Sequence, residues 1–313
     1  MYPTAGGDDR ITTARLPKRE APVGMLRKWR SGSVARGAAG ENRTLSFLVC
    51  RMRGFERLVE SYAADPDGLC RIVRRGTTVL ADVVRAHGGT VDRAFAGGFS
   101  AFFNAPREAS DHVIKACECA LAMLAAMAEV NRKIANGADP LRIGIGLNSG
   151  SAVFGDFGTE DRPHFAAIGL PVQRADALEQ LSASYGTAIL TGPGIEKDAE
   201  RRFAFLHVDH QSDGEGAPLP ISALLAPPLS RSHPKFLALK SFHAHIFDAF
   251  RARNWTQARN LVGQCRALSE ANPVLYDFYR DRIAHYEANP PAPDWNGNFL
   301  PAMGLSDAPA NCR

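Results

Sequence analysis

Apolar residues are distributed along this chain in two rhythms. Between residues 44 and 208, short runs with strand periodicity alternate with longer runs on a helical stripe. Beyond residue 234 only helical stripes remain. The first apolar run, Thr44 to Cys50 (TLSFLVC), suits a buried strand, and Arg51 to Gly54 reads as a basic turn after it. Pro66 to His87 places Leu69, Ile72, Val73, Val79, Leu80, Val83 and Val84 on one helical stripe, ended by the Gly88-Gly89 pair. Val91 to Asn104 (VDRAFAGGFSAFFN) reads as a β-hairpin turning at Gly97-Gly98, since both positions tolerate φ > 0. Ser110 offers an N-cap for a helix to about Ala135. Leu141 to Leu147 (LRIGIGL) alternates as a strand, with glycines on one face that permit close backbone approach. A Gly-rich loop or hairpin over Asn148 to Ile168 follows. A helix over Pro171 to Ser184 comes next, then short strands at Thr187 to Leu190 and Phe203 to Val208.

This order of elements predicts an α+β sandwich of the ferredoxin-like kind over residues 45–208. Residues 1–44 are Gly-, Pro-, Arg- and Ser-rich and read as a disordered leader, with one short helix at Met25 to Trp29. Residues 209–233 read as a polar, proline-rich linker holding a strand at Ile221 to Leu225. Three helical runs then fill 234–289, as in a repeat-like helical extension: Phe236 to Arg251, Thr256 to Ser269 and Pro273 to Ala288. Phe242, Phe247, Phe250, Trp255 and Leu261 are the expected buried side chains. Residues 290–313 form a proline-rich tail.

Composition narrows the function classes. Hydrophobic residues at 45% and charged residues at 22% are globular values. The leader holds nine Lys/Arg against four Asp/Glu, about +5, so it accounts for the whole of the net +4. No aromatic stacking pattern accompanies that charge, so no nucleic acid is expected as a partner. No apolar run approaches the ~18 residues of a membrane span, and no signal-peptide core is visible; the expected location is the cytoplasm. The six cysteines show no framework spacing and read as core thiols.

Four stretches carry a family resemblance: Arg53-Gly54-Phe55 after the first strand; HGGTVDRAFAGGFSAFFNAP, His87 to Pro106; LRIGIGLNSGSAVFGDFG, Leu141 to Gly158; and AAIGLPVQRADALE, Ala166 to Glu179. Together they resemble the catalytic domain of the class III nucleotide (adenylate/guanylate) cyclases. The phrase Pro290-Pro291-Ala292-Pro293-Asp294-Trp295-Asn296-Gly297 is similar to one that ends the helical extension of some bacterial members. The resemblance implies head-to-tail dimers with active sites at the interface. One protomer gives two metal-holding aspartates. The other gives a base-reading Lys/Asp pair, an Asn and an Arg. The 3′ oxygen must be activated by metal and the phosphate charge neutralised in place.

Carried over position by position, the two metal aspartates fall at Arg51 and Gly97, where a guanidinium repels a divalent cation and glycine offers no ligand. The base-reading Lys falls at Arg93 and its Asp partner at Leu170. The Asn falls at Gln173 and the phosphate Arg at Ala177. Only Arg93 and Gln173 keep a capacity for nucleotide contact. Asp92 belongs to a strand position facing away; Asp156 and Asp161 lie on loops; Asp176 and Glu179 are expected on the exposed face of their helix. His87 and His164 are isolated, and His243 and His245 face different ways. The expectation is a catalytically inactive cyclase-homology protein with no metal or other cofactor. It would act by forming a homodimer or a heterodimer with another cyclase domain. LRIGIGLNSG and the hairpin tip would lie at that interface, and the helical extension would offer a further protein contact. Two alternatives stand beside it. One is a cyclase making cyclic AMP from ATP through an atypical site, which alone would call for Mg²⁺ or Mn²⁺. The other is a nucleotide or small-molecule sensor using the old cleft, with Arg51, Arg93 and Arg174 toward phosphates.

Overall fold

A computed structural model describes residues 40–134, 140–159, 164–211, 219–226, 231–268 and 272–292, with Trp295. The expected helix at Met25 to Trp29, leader residues 1–39 and Asp161 lie outside these residues, whereas Glu41 to Thr44, read as leader, belong to the first strand. One compact unit holds the described residues from Gly40 onward.

Its centre is strand β1, Glu41–Arg53, which pairs antiparallel with β3 (Gly98–Phe103) on one side and β4 (Arg142–Asp156) on the other. β1 runs through the stretch expected to turn. Met52 is buried between Arg51 and Arg53, so the pattern is alternation, and the two arginines share one face. β2 (Thr90–Phe95) closes the hairpin with β3. The core order β4-β1-β3-β2 is the βαββαβ arrangement of a ferredoxin-like sheet. Helices α2 (Pro66–Ala86) and α3 (His112–Ile134) serve as the crossovers, and a short helix, α1 (Phe55–Ser61), precedes them.

The hairpin turns at Ala96-Gly97, one residue earlier than the sequence suggested. Phe95 pairs with Gly98, and Gly97 has φ +72°. Gly98 is needed for another reason: a Cβ there would strike the Cys50 carbonyl.

β4 divides its side chains by face. Ile143, Ile145 and Leu147 join the core beneath α3. On the other face lies α4, Leu170–Ser184, so close that a Cβ on Gly146 would meet the backbone at Ala175 and Glu179. With β1 on one flank, the short strand Ile189–Thr191 on the other, and helices above and below, the first half of β4 is closed to a partner chain. Ser149 and Gly150 are half-buried and Ser151 is exposed. β5 (Phe165–Ile168) folds back on the end of β4.

The sheet continues through β6 (Ile189–Thr191), parallel to β4, and then α5 (Pro193–Ala199) leads to β7 (Phe205–Gln211) and β8 (Leu219–Leu224). β8 inserts between β6 and β7. Residues 209–233, read as a linker, therefore contribute the end of one strand and all of another. The second is the strand expected at Ile221 to Leu225; the extension of the first past Val208 was masked by its polar side chains. Asp209 and Ser222 are buried, satisfied by Arg282 and Tyr185 in the first case and by Glu196 in the second.

The extension forms α6 (Pro234–Arg251), α7 (Trp255–Leu268) and α8 (Pro273–Ala288). α6 buries Phe236, Leu239, Ile246, Phe247 and Phe250 in the same core cluster as Leu206 and Val208 of β7. Arg282 donates to Asp209 at 2.7 Å with its guanidinium 4.4 Å from the Phe278 ring, and the Tyr279 hydroxyl donates to the Val208 carbonyl. Phe242, Trp255 and Leu261 are half-buried rather than buried; the Trp255 ring stacks on Tyr286 at 5.6 Å and meets Trp295 at 6.1 Å. Cys50, Cys117, Cys119 and Cys265 are core thiols, whereas Cys70 is exposed on α2.

Candidate functional site

The positions that matter lie where the end of β1, the β2–β3 hairpin and α4 converge. Arg51 pairs across the sheet with Gly98 on one side and Gly144 on the other, and its side chain rises toward α4. There one guanidinium nitrogen bonds the Glu179 carboxylate and the other bonds Asp176 at 2.6 Å. Arg53 joins from two residues on, 2.9 Å from the same Glu179 carboxylate, with further bonds to the Glu179 carbonyl (2.7 Å) and the Ser182 hydroxyl. Phe95 lies 4.9 Å beneath the Arg51 guanidinium. Two guanidiniums thus meet two carboxylates in one cluster, in which the buried Glu179 Oε1 has Arg53 within ion-pair reach but accepts no hydrogen bond.

Asp176 and Glu179 correct the expectation that they form an exposed helix face. The Glu179 side chain is 0% exposed and Asp176 is half-buried. The sequence signal existed: a helix placing Asp and Glu three apart above two arginines spaced one strand period apart has a complementary charge pattern. Burial pushes the Glu179 carboxyl up, and Arg53 and Arg51 pull against that. Burial also disfavours the Arg51 charge, but its bonds to Glu179 and Asp176 outweigh the loss and hold the guanidinium more firmly protonated than usual.

Gly97 sits at the hairpin turn with φ +72°, and the space a side chain would enter is taken by the Phe55 ring, 2.7 Å from an added Cβ. Its carbonyl accepts the Met52 N–H at 2.7 Å. The residues present do not fit a magnesium or manganese ion. One position carries a cation already engaged by both nearby carboxylates, and the other carries no ligand and no room for one. Among the described residues, no three His, Cys, Asp or Glu side chains converge as a metal-ligand set.

The second group of positions faces elsewhere. Leu170 (50% exposed) opens α4, Gln173 is exposed and Ala177 half-buried, and none of the three bonds Arg51. Arg93 is exposed on β2. The structure thus separates the two half-sites within one chain. A narrow cleft beside Leu170 is lined by Asn148, Arg174, Leu178 and Pro193 together with β8 residues, and is mostly apolar.

The remaining candidates are structural. Asp92 lies at a bulge in β2, accepts a bond from Ser100 at 3.1 Å and is half-buried; burial pushes its carboxyl up. Asp156 accepts the N–H groups of Gly158 and His164, closing its own loop. The His87 ring bonds the Val83 carbonyl at 2.8 Å. His243 is buried against β7, while His245 is exposed.

Near Leu170 the surface is apolar. Val153 and Ile168 are direct cross-strand partners on β4 and β5, 39% and 54% exposed, and Phe157 extends the patch at 45%.

Comparison with known proteins agrees with this geometry. The family model for the adenylate and guanylate cyclase catalytic domain matches residues 44–190. Adenylate cyclase 1 of Rhizobium meliloti is 26% identical over 175 residues, 56% of this chain and 26% of that protein. An uncharacterized Mycobacterium tuberculosis protein is 30% identical over 151 residues, 48% of this chain and 25% of its own length. The chain therefore spans about a quarter of the length of these curated relatives. Among solved structures, the guanylyl cyclase Cya2 superimposes with a TM-score of 0.55 at 28% identity, covering 61% of this chain and 98% of that one. The adenylyl cyclase CyaB from P. aeruginosa has a TM-score of 0.56 at 22% identity, with the same coverage, and supports the fold. Residues 44–190 of the chain are thus similar to the class III nucleotide cyclase catalytic domain, in sequence and in fold.

Proposed function

We propose that this protein is a class III cyclase-homology protein of cyclic-nucleotide signalling that forms no cyclic nucleotide and acts in the cytoplasm by binding. The observation that carries this reading is the Arg51 cluster. Where the family resemblance calls for a metal-holding carboxylate, a guanidinium stands, and both carboxylates near it are spent on neutralising it. Loss of one electrostatic stabiliser typically costs ~10²–10³ in rate. Here Arg51 and Gly97 remove the metal ligands, and Leu170 and Ala177 remove base-reading and phosphate groups as well. Neither half-site can complete the other in a homodimer, nor complement an active cyclase.

The contact surface is the patch of Val153, Phe157, Ile168 and Leu170, rather than the buried first half of β4. Exposed apolar side chains adjoining across a strand pair favour burial against a second cyclase domain, this chain's own copy or another. The test is sedimentation velocity over a concentration series. Wild type should dimerise, or associate with a co-expressed cyclase domain, and Ile168→Arg with Leu170→Arg should abolish that while leaving the fold intact. A wild type that stays monomeric with every cyclase domain offered, or a variant that associates equally well, would overturn the reading.

A further inference from the structure

A groove of about 650 Å³ opens at the end of the sheet where Arg53 pairs with Arg142, and where the cyclase domain meets the extension. It lies between the last turns of α3, the first residues of β4, the turn from α4 into β6, and the start of α8. Leu124, Met127, Leu141, Ile143 and Val274 give it an apolar wall. Its volume is in the range of small-ligand sites.

Most polar groups on its rim are already committed. Asn131 is bonded twice to the Leu141 backbone, its amide donating to the carbonyl at 2.7 Å and its oxygen accepting the N–H at 2.8 Å. Asn272 caps α8 by accepting the Leu275 N–H and donates to the Tyr185 carbonyl at 3.1 Å. Arg53 is held by Glu179 and Ser182. Two groups are left. The Arg142 guanidinium is exposed, with no ion pair or hydrogen bond among the described residues. The Thr187 hydroxyl oxygen is buried and unpartnered. Arg142 stands directly across the strand pair from Arg53, so the rim carries one guanidinium neutralised by Glu179 and one that is not.

We propose that this groove binds a small apolar monocarboxylate. The free guanidinium fits a single carboxylate through two parallel N–H···O bonds. The Thr187 hydroxyl supplies or takes one more bond, and the aliphatic body lies on the Leu124–Met127–Ile143 wall. One uncompensated cation matches one negative charge. A neutral alcohol leaves it unpaired, and a dianion brings more charge than the rim offsets. The occupant touches both the sheet and α8, so binding ties the extension to the cyclase domain. The site adjoins the Arg51 cluster through Arg53 and Ser182, and it is independent of whether that cluster supports turnover.

The experiment uses the full chain with octanoate below its micellar range and octan-1-ol as the neutral comparison, read by calorimetric titration and by thermal unfolding. Octanoate should bind saturably and raise the melting temperature, and octanol should bind at least tenfold more weakly. Arg142→Gln, a surface change, should weaken octanoate at least tenfold without altering the unliganded melting temperature, and Arg142→Lys should restore part of the loss. Absence of saturable octanoate binding to wild type, equal affinity for octanol, or undiminished binding by Arg142→Gln would overturn the assignment.

Discussion

Replacing Arg51 by the aspartate of the family pattern is expected to damage the fold instead of restoring a metal site. The guanidinium has two carboxylate partners, Asp176 at 2.6 Å and the fully buried Glu179. Removing one member of a buried ion pair typically costs ~3–5 kcal/mol. Two features reduce that. Arg51 is itself 32% exposed, and Glu179 keeps Arg53 at 2.9 Å. The contact to Asp176, whose side chain is 40% exposed, adds little, in the surface range of ~0–1 kcal/mol. Arg51→Met should therefore cost about 2 kcal/mol and Arg51→Asp about 3 kcal/mol, the excess coming from a third carboxylate placed against the other two. The pH dependence of Arg51→Met separates charge from packing. Without Arg51, burial pushes the Glu179 carboxyl further up, so the folded state holds a proton that the unfolded chain releases. Stability then falls as pH rises above the ordinary carboxylate range, and the deficit should be larger at pH 8 than at pH 5. Urea unfolding at both pH values measures it. Arg51→Asp as stable as wild type, or a deficit independent of pH, would refute the cluster as described.

Other consequences follow from the joint between β7 and the extension. Arg282→Met leaves the Asp209 carboxylate buried beside Tyr185 and should cost ~3–5 kcal/mol in urea unfolding, with Asp209→Asn in the same chain recovering part of it. His243 is buried and neutral, 2.8 Å from the His207 carbonyl and 3.1 Å from the Tyr276 hydroxyl; burial pushes it down to about 4 from an ordinary 6.5. The unfolded chain takes up that proton first. Its contribution is therefore fully present above pH 6.5 and falls by up to ~1.4 kcal/mol per pH unit between 6.5 and 4, a slope that His243→Gln should reduce in melting curves. Trp255→Ala should cost about 2 kcal/mol, below the ~3–5 of a fully buried ring, because the indole is stacked on Tyr286 but half-exposed.

The helical stripes were legible at sequence level because apolar periodicity alone sets them. α2, α4 and the three extension helices begin and end within one or two residues of the expected positions. The pairing β4-β1-β3-β2 was legible through the family phrases and the hairpin. What periodicity missed has one physical cause: buried polar groups satisfied by distant partners look like surface or loop in one dimension. Arg51 and Arg53 read as a turn because their carboxylates lie more than a hundred residues away on α4. Buried Asp209 likewise hid how far the strand expected at Phe203 to Val208 continues, and Glu179 was placed on the wrong side of its helix. The turn at Ala96-Gly97 was misplaced for a steric reason, since both glycines tolerate a turn and only the packing of Gly98 against the Cys50 carbonyl decides between them.

The most direct measurement is cyclic nucleotide formation by the purified full chain, supplied with ATP or GTP and with Mg²⁺ or Mn²⁺, followed by mass spectrometry of the product. The Arg51 cluster and the filled space at Gly97 predict no cyclic AMP or cyclic GMP above the uncatalysed background, alone or mixed with a cyclase domain lacking its own metal aspartates. Metal-dependent product from the unmodified chain, lost on Gln173→Ala or Arg93→Ala, would contradict the account and show that this cleft works with a different set of ligands.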